Sequence, residues 1–132
     1  MMGPFPPEAG ETSVLVTVTP EEAVLRAGEA DWLCAWCHAR IAKEKHRLMI
    51  DGKDEFTFTN PQGVRFEIIT FSQTPGCHET GAPTLEHTWF PGYAWSFCHC
   101  DGCGQQLGWY YAGLLRFAGL DKSRIVRGFV NN

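Results

Sequence analysis

The chain is short of basic residues. Lysine and arginine total 11 against 15 aspartates and glutamates, a formal net charge of −4. Sequence-independent nucleic-acid binding needs a basic surface, so that partner class is not expected. A polybasic membrane patch is disfavoured for the same reason. Long apolar runs are also missing: none approaches the roughly 20 residues that cross a bilayer. The start, MMGPFPPEAGE, has neither a basic opening nor an apolar stretch of the kind that marks a secretory leader. The expectation is a cytoplasmic protein. Uninterrupted helical sequence is scarce too, because fourteen glycines and eight prolines break the chain into short pieces. With 132 residues, 44% of them hydrophobic and 20% charged, the chain reads as one soluble, turn-rich globular domain.

What remains is mostly β. Residues 1–30 read as an N-terminal tail and lead-in, and residues 31–132 as the domain. Within the lead-in, residues 14–18 are β-prone. Thr19-Pro20-Glu21-Glu22 resembles a helix start that Gly28 cuts short. Residues 41–50 allow helix or strand. Phe56-Thr57-Phe58-Thr59 alternates, Asn60-Pro61-Gln62-Gly63 turns, and residues 64–71 are β-branched and aromatic, which predicts a hairpin. Residues 72–88 read as a long polar loop, expected to close over a ligand. Residues 96–99 and 106–111 should be strands on either side of Cys100-Asp101-Gly102-Cys103. Residues 116–120 and 125–130 are candidate closing strands.

Cysteine is not scarce. Of six, four fall in two Cys-x-x-Cys pairs, Cys34/Cys37 and Cys100/Cys103. Two such pairs present four thiolates, the donor set of a structural zinc site with no open position for a catalytic water. Redox dithiols or unrelated core cysteines are the competing reading. The gap between the pairs is 62 residues, so a zinc here would join two small sheets across a large insertion. His99 adjoins Cys100 and offers a substitute ligand, which two complete pairs make unnecessary.

Residues 86–111, EHTWFPGYAWSFCHCDGCGQQLGWYY, carry three of the five tryptophans. Trp89, Trp95 and Trp109 suit a buried core, as large hydrophobic residues do. They also suit an aromatic slot for a flat ring or a cation, since Trp89 and Trp95 flank a Pro91-Gly92 turn with polar neighbours.

The order of these landmarks resembles the CULT domain family, the thalidomide-binding domains of cereblon and its relatives. The resemblance runs from Gly81-x-Pro83-Thr84-x-Glu86-His87-Thr88-Trp89-Phe90-Pro91-Gly92-Tyr93-Ala94-Trp95 through Cys100-x-x-Cys103 to Leu107-Gly108-Trp109-x-Tyr111. Upstream it includes Cys34-x-x-Cys37 and Asn60-Pro61-x-Gly63. It spans roughly residues 32–130. It implies a β-tent, two antiparallel sheets pinned by one structural Zn2+ on Cys34, Cys37, Cys100 and Cys103. It implies a cage walled by Trp89, Trp95 and Trp109 and backed by Tyr111. His87 and the backbone of His87 and Trp89 would meet the polar edge of a glutarimide. Asn60, Pro61, Glu86, Thr88 and Phe90 would lie around the rim. The implied ligands are cyclic imides, uracil-like rings such as uridine, and protein C-terminal cyclic imides.

The sequence also departs from the family. The chain shows no Lon-like or helical ligase-joining region, so a ubiquitin ligase adaptor is not expected as a partner. Gln62, Val64 and Phe97 differ from vertebrate cereblon on the surface that recruits further proteins. The resemblance implies a binding protein rather than an enzyme. The enzymatic alternative is a β-tent oxidoreductase of the methionine sulfoxide reductase type, using Cys77 beside His78, or Cys98. A module that captures a modified peptide terminus or a methylated cation is a third reading.

Overall fold

A computed structural model describes residues 30–129. The expected strand at 14–18, the helix start at Thr19 and the extension of the last strand to residue 130 lie outside the described residues. Nine strands follow in chain order: β1 (Ala30–Cys34), β2 (Arg40–Lys43), β3 (Glu55–Thr59), β4 (Arg65–Phe71), β5 (Cys77–Thr84), β6 (Ala94–Cys100), β7 (Gln106–Ala112), β8 (Arg116–Asp121) and β9 (Ile125–Phe129). Single 3-10 turns sit at Glu44–His46 and Lys122–Arg124. The ambiguous stretch at residues 41–50 thus divides into a short strand and a tight turn.

The strands form two antiparallel sheets. The small one has the order β2-β1-β9 and the large one β3-β4-β8-β7-β6-β5. The predicted hairpin is β3–β4, with Phe58 opposite Phe66 and Thr59 opposite Arg65. Its burial follows its spelling. Phe56 and Phe58 turn inward on β3 while Glu55, Thr57 and Thr59 face solvent.

The polar loop predicted at residues 72–88 is a strand in its middle. Cys77–Thr84 is β5, paired with β6 at the edge of the large sheet. The sequence hides it because HETGAPT has weak strand preference, and every residue of β5 from His78 to Pro83 is exposed. Pairing with β6 supplies what propensity does not. A segment held in a ladder cannot swing shut over a ligand, so the expected closure is withdrawn. The true connection is residues 72–76, which crosses the sheet from β4 to its far edge. It lies tight against β2: the Gly76 amide donates to the Ile41 carbonyl at 3.0 Å, and a Cβ on Gly76 would stand 2.1 Å from the Arg40 oxygen.

The large sheet is apolar on both faces. Ile69, Phe71, Cys98, Cys100, Ala118 and Leu120 face the small sheet and pack on its Trp32, Ile41 and Ile125. The alternate residues, Phe66, Ile68, Trp95, Trp109, Tyr111 and Phe117, point the other way into a second, aromatic cluster with Phe90. A bulge between Cys98 and His99 leaves Leu107 without a partner in the ladder and turns it into the inner core, while Trp109 and Tyr111 stay on the outer face. No helix among the described residues is long and apolar enough to cross a membrane.

Candidate functional site

The two Cys-x-x-Cys segments fold into matching knuckles. In the first, the Cys34 amide donates to the Ala39 carbonyl and the His38 amide to the Cys34 carbonyl, both at 2.9 Å. In the second, the Cys100 amide donates to Gln105 at 2.8 Å and the Gly104 amide to Cys100 at 2.9 Å. The amides of Trp36 and Gly102 point at the Cys34 and Cys100 sulfurs, at 3.4 and 3.3 Å. The fifth residue of each knuckle is left-handed, Gly104 at φ 81° and His38 at φ 62°.

These knuckles bring four sulfurs within 4.8 Å of one another. Cys34 to Cys103 and Cys37 to Cys100 are both 3.6 Å apart. A tetrahedron with metal–sulfur bonds of about 2.3 Å sets its sulfurs about 3.8 Å apart. The quartet therefore has the donor set and spacing to hold a metal ion such as zinc. Burial pushes the Cys34 thiol up to about 12 and raises Cys100 as well, while the backbone amide at Ala39 lowers Cys37. A divalent cation offsets the penalty of gathering thiolates here.

The aromatic cluster is built by the outer face of β6 and β7 and by the turn between β5 and β6. Register sets Trp95 opposite Tyr111 and Phe97 opposite Trp109. The turn lays Trp89 against Trp109 with ring centres 5.1 Å apart and planes at 77°, as two adjoining walls of a box. Phe90 plugs the base, edge-on to Tyr111 at 4.8 Å. The Trp95 indole N–H donates to the Glu86 carbonyl at 2.8 Å, and the Thr88 hydroxyl donates to the Tyr93 carbonyl at 2.7 Å. Trp95, Trp109, Tyr111 and Phe90 are buried, Trp89 and Thr88 are half-buried, and Glu86 and His87 are exposed.

Five residues named from the sequence, Trp89, Phe90, Trp95, Trp109 and Tyr111, thus meet in one cluster, with Glu86, His87 and Thr88 on the turn beside it. His87 holds a left-handed φ of 57°, a backbone state rare for a side chain with a Cβ. Asn60 sits at the turn between β3 and β4. Its side-chain oxygen accepts from the Gln62 and Val64 amides at 3.0 and 2.9 Å, so that oxygen shapes the hairpin turn. Pro61 is exposed at the turn's tip.

Sequence reading missed the rings that hold Trp89. Phe58 stacks on it at 5.0 Å and Phe66 leans on it at 5.5 Å. The signal was the inward phase of Phe56 and Phe58, but which turn they would meet is a matter of tertiary register.

The remaining thiols fall inside the fold. Cys98 is fully buried, as expected of a strand residue. Cys77, which falls within the stretch read as a loop at residues 72–88, instead opens β5 and is half-buried. Hydrogen bonding to Cys98 and burial raise its pKa, keeping it a thiol rather than a thiolate. Tyr111 is also shifted up by burial, and among the described residues its hydroxyl has no hydrogen-bond partner.

No family model matches the chain. Among curated proteins it is similar to cereblon of Gallus gallus, 33% identical over 75 residues, covering 52% of this chain and 17% of the relative. Cereblon of Danio rerio is 32% identical over 75 residues with the same coverage. Cereblon of Drosophila willistoni is 24% identical over 98 residues, covering 74% of this chain and 15% of the relative. The chain thus spans less than a fifth of the length of these relatives. Two antiparallel sheets joined at a four-cysteine cluster, an aromatic cluster on the outer face of the large sheet and these likenesses agree with one another: the chain is cereblon-like.

Proposed function

We propose that the aromatic cluster and the turn at residues 85–93 bind cyclic imides of the thalidomide glutarimide type and uracil-like rings such as uridine. Protein C-termini that have cyclised to an imide carry the same chemistry. The observation that carries this is the turn itself. Its fixing hydrogen bonds use the amides of Glu86, Thr88, Phe90 and Tyr93 and the carbonyls of Leu85, Glu86, Phe90 and Tyr93. Among the described residues, none of them uses the backbone of His87 or Trp89. Those groups adjoin indole walls, and a cyclic imide has the matching form: an acceptor–donor–acceptor edge and an apolar back. A buried N–H or C=O left unpaired costs about 1–3 kcal/mol, which selects imide over plain lactam.

In this reading Trp89, Trp95 and Trp109 are walls, Tyr111 and Phe90 the base, and His87 the side chain over the polar edge. Glu86, Thr88 and the Asn60-Pro61 turn form the surroundings. One zinc on the four cysteines supplies structure: it ties β1 to β6, and so the small sheet to the strand that carries Trp95. The protein acts by binding, in the cytoplasm, and without catalysis. A raised Cys77 and a buried Cys98 lack the accessible thiolate that the reductase alternative needs.

The test is titration of zinc-loaded protein with glutarimide, thalidomide and uridine, followed by tryptophan fluorescence, with N-methylglutarimide as control. Saturable binding that N-methylation abolishes is expected. Absence of binding by folded, zinc-loaded protein would overturn the reading.

A further inference from the structure

The face that carries the indoles continues along β6 to a pair of histidines. His78 on β5 and His99 on β6 are direct partners in the antiparallel register. Their rings are nearly parallel, with centres 5.9 Å apart and planes at 24°. Each ring is held by one nitrogen. His78 Nδ1 lies 2.6 Å from an Asp101 carboxylate oxygen, and His99 Nδ1 lies 3.0 Å from the Gly104 carbonyl. A carbonyl can only accept, and an ionised carboxylate likewise. Both rings therefore carry their proton on Nδ1 and present the Nε2 lone pair. A carboxylate or carbonyl behind the ring, with Nε2 free in front, is the arrangement that orients histidine for a metal.

We propose that His78 and His99 form a surface site for a borderline divalent transition metal of the Zn2+, Ni2+ or Cu2+ class, separate from the cysteine quartet. Imidazole suits these ions, and two imidazoles leave coordination positions for water or a further ligand. The site is accessible because β5 is an edge strand and His78 and Asp101 are 52% and 53% exposed. Metal–nitrogen bonds of about 2.0–2.1 Å require the two Nε2 atoms to approach more closely than the ring centres stand. The exposed His78 ring supplies that tilt. Asp101 is a positioning residue: its carboxylate holds the His78 ring in place and sets its tautomer. A bound ion would also clamp β5 to β6, the pairing at one edge of the large sheet.

The experiment uses the full chain with one equivalent of Zn2+ on the cysteines. Ni2+ is titrated calorimetrically, and imidazole 15N correlations are recorded before and after. One further equivalent is expected, with both rings in the Nδ1–H form beforehand and both Nε2 resonances shifted or broadened afterwards. His78→Gln and His99→Gln should each weaken Ni2+ by at least roughly tenfold, and Asp101→Asn by about tenfold. Wild-type thermal melting of His78→Gln confirms that the fold is intact. No further equivalent in wild type, unchanged affinity in either histidine variant, or Nε2–H tautomers in the starting spectra would each overturn the proposal.

Discussion

The two faces of the large sheet are both apolar, yet they are finished differently. The inner face packs mainly aliphatic residues and thiols, with Phe71, against a second sheet that adds Trp32, and cysteines from β1 and β6 reach a common point at its end. The outer face is almost all rings. It leaves Tyr111 with a buried hydroxyl lacking a partner among the described residues, Trp89 half-buried, and His87 in a left-handed state. Buried polar groups are ordinarily satisfied, and strained backbone concentrates where ligands bind. The contrast teaches that the inner face is finished as a core against a second sheet, while the outer face carries the features that the proposed binding role would use.

Metal removal should break the contrast most severely. Structural zinc contributes on the order of 10 kcal/mol, comparable to the entire stability of a small domain. Chelation, or Cys100→Ser, is expected to abolish cooperative melting and the near-ultraviolet dichroism of the outer indoles. A metal-free protein that melts sharply would show the outer face to be self-supporting.

The indoles should divide the two roles. Trp109 is fully buried, so Trp109→Ala should cost about 3–5 kcal/mol of stability in urea melts and abolish imide binding. Trp89 is half-buried, so Trp89→Ala should spare more of the stability while costing about 2 kcal/mol or more of affinity. Equal stability losses would erase the division.

A smaller effect sharpens it. Tyr111→Phe removes the unpartnered hydroxyl and should raise ligand-free stability by about 1 kcal/mol. A loss instead would mean that the hydroxyl is already satisfied in the free protein. Smallest is a change in the first knuckle. His38 holds the left-handed position that Gly104 fills in the second, so His38→Gly should stabilise the zinc-loaded protein by about 0.5 kcal/mol, and Gly104→Ala should cost about 1 kcal/mol. Both are read from melting temperatures.

How much of this was legible follows from how local each signal is. The knuckles are written in spacing, and the hairpin in the alternation of Phe56 and Phe58 around an Asn-Pro turn. The tryptophans named a site without showing what braces it, because Phe58 and Phe66 meet Trp89 only through tertiary packing. β5 was illegible for a stronger reason. Its residues have no buried face to leave a period, and only the ladder to β6 makes them a strand. Asn60 was placed correctly near the hairpin turn, but its oxygen works for the backbone.

The pairing of β1 with β9 has a consequence in time. Ala30 lies opposite Phe129, so the middle strand of the small sheet must wait for the end of the domain before its second edge is covered. Cys34 and Cys37 likewise emerge long before Cys100 and Cys103. Contacts so distant in sequence slow folding, because chain closure is unfavourable until they are rewarded. During synthesis the first knuckle can offer a metal only half its ligands, and its thiols stand open to oxidation. Completion of the small sheet is thus set by the arrival of its latest strand, and the four sulfurs meet only once β1 and β6 are both made.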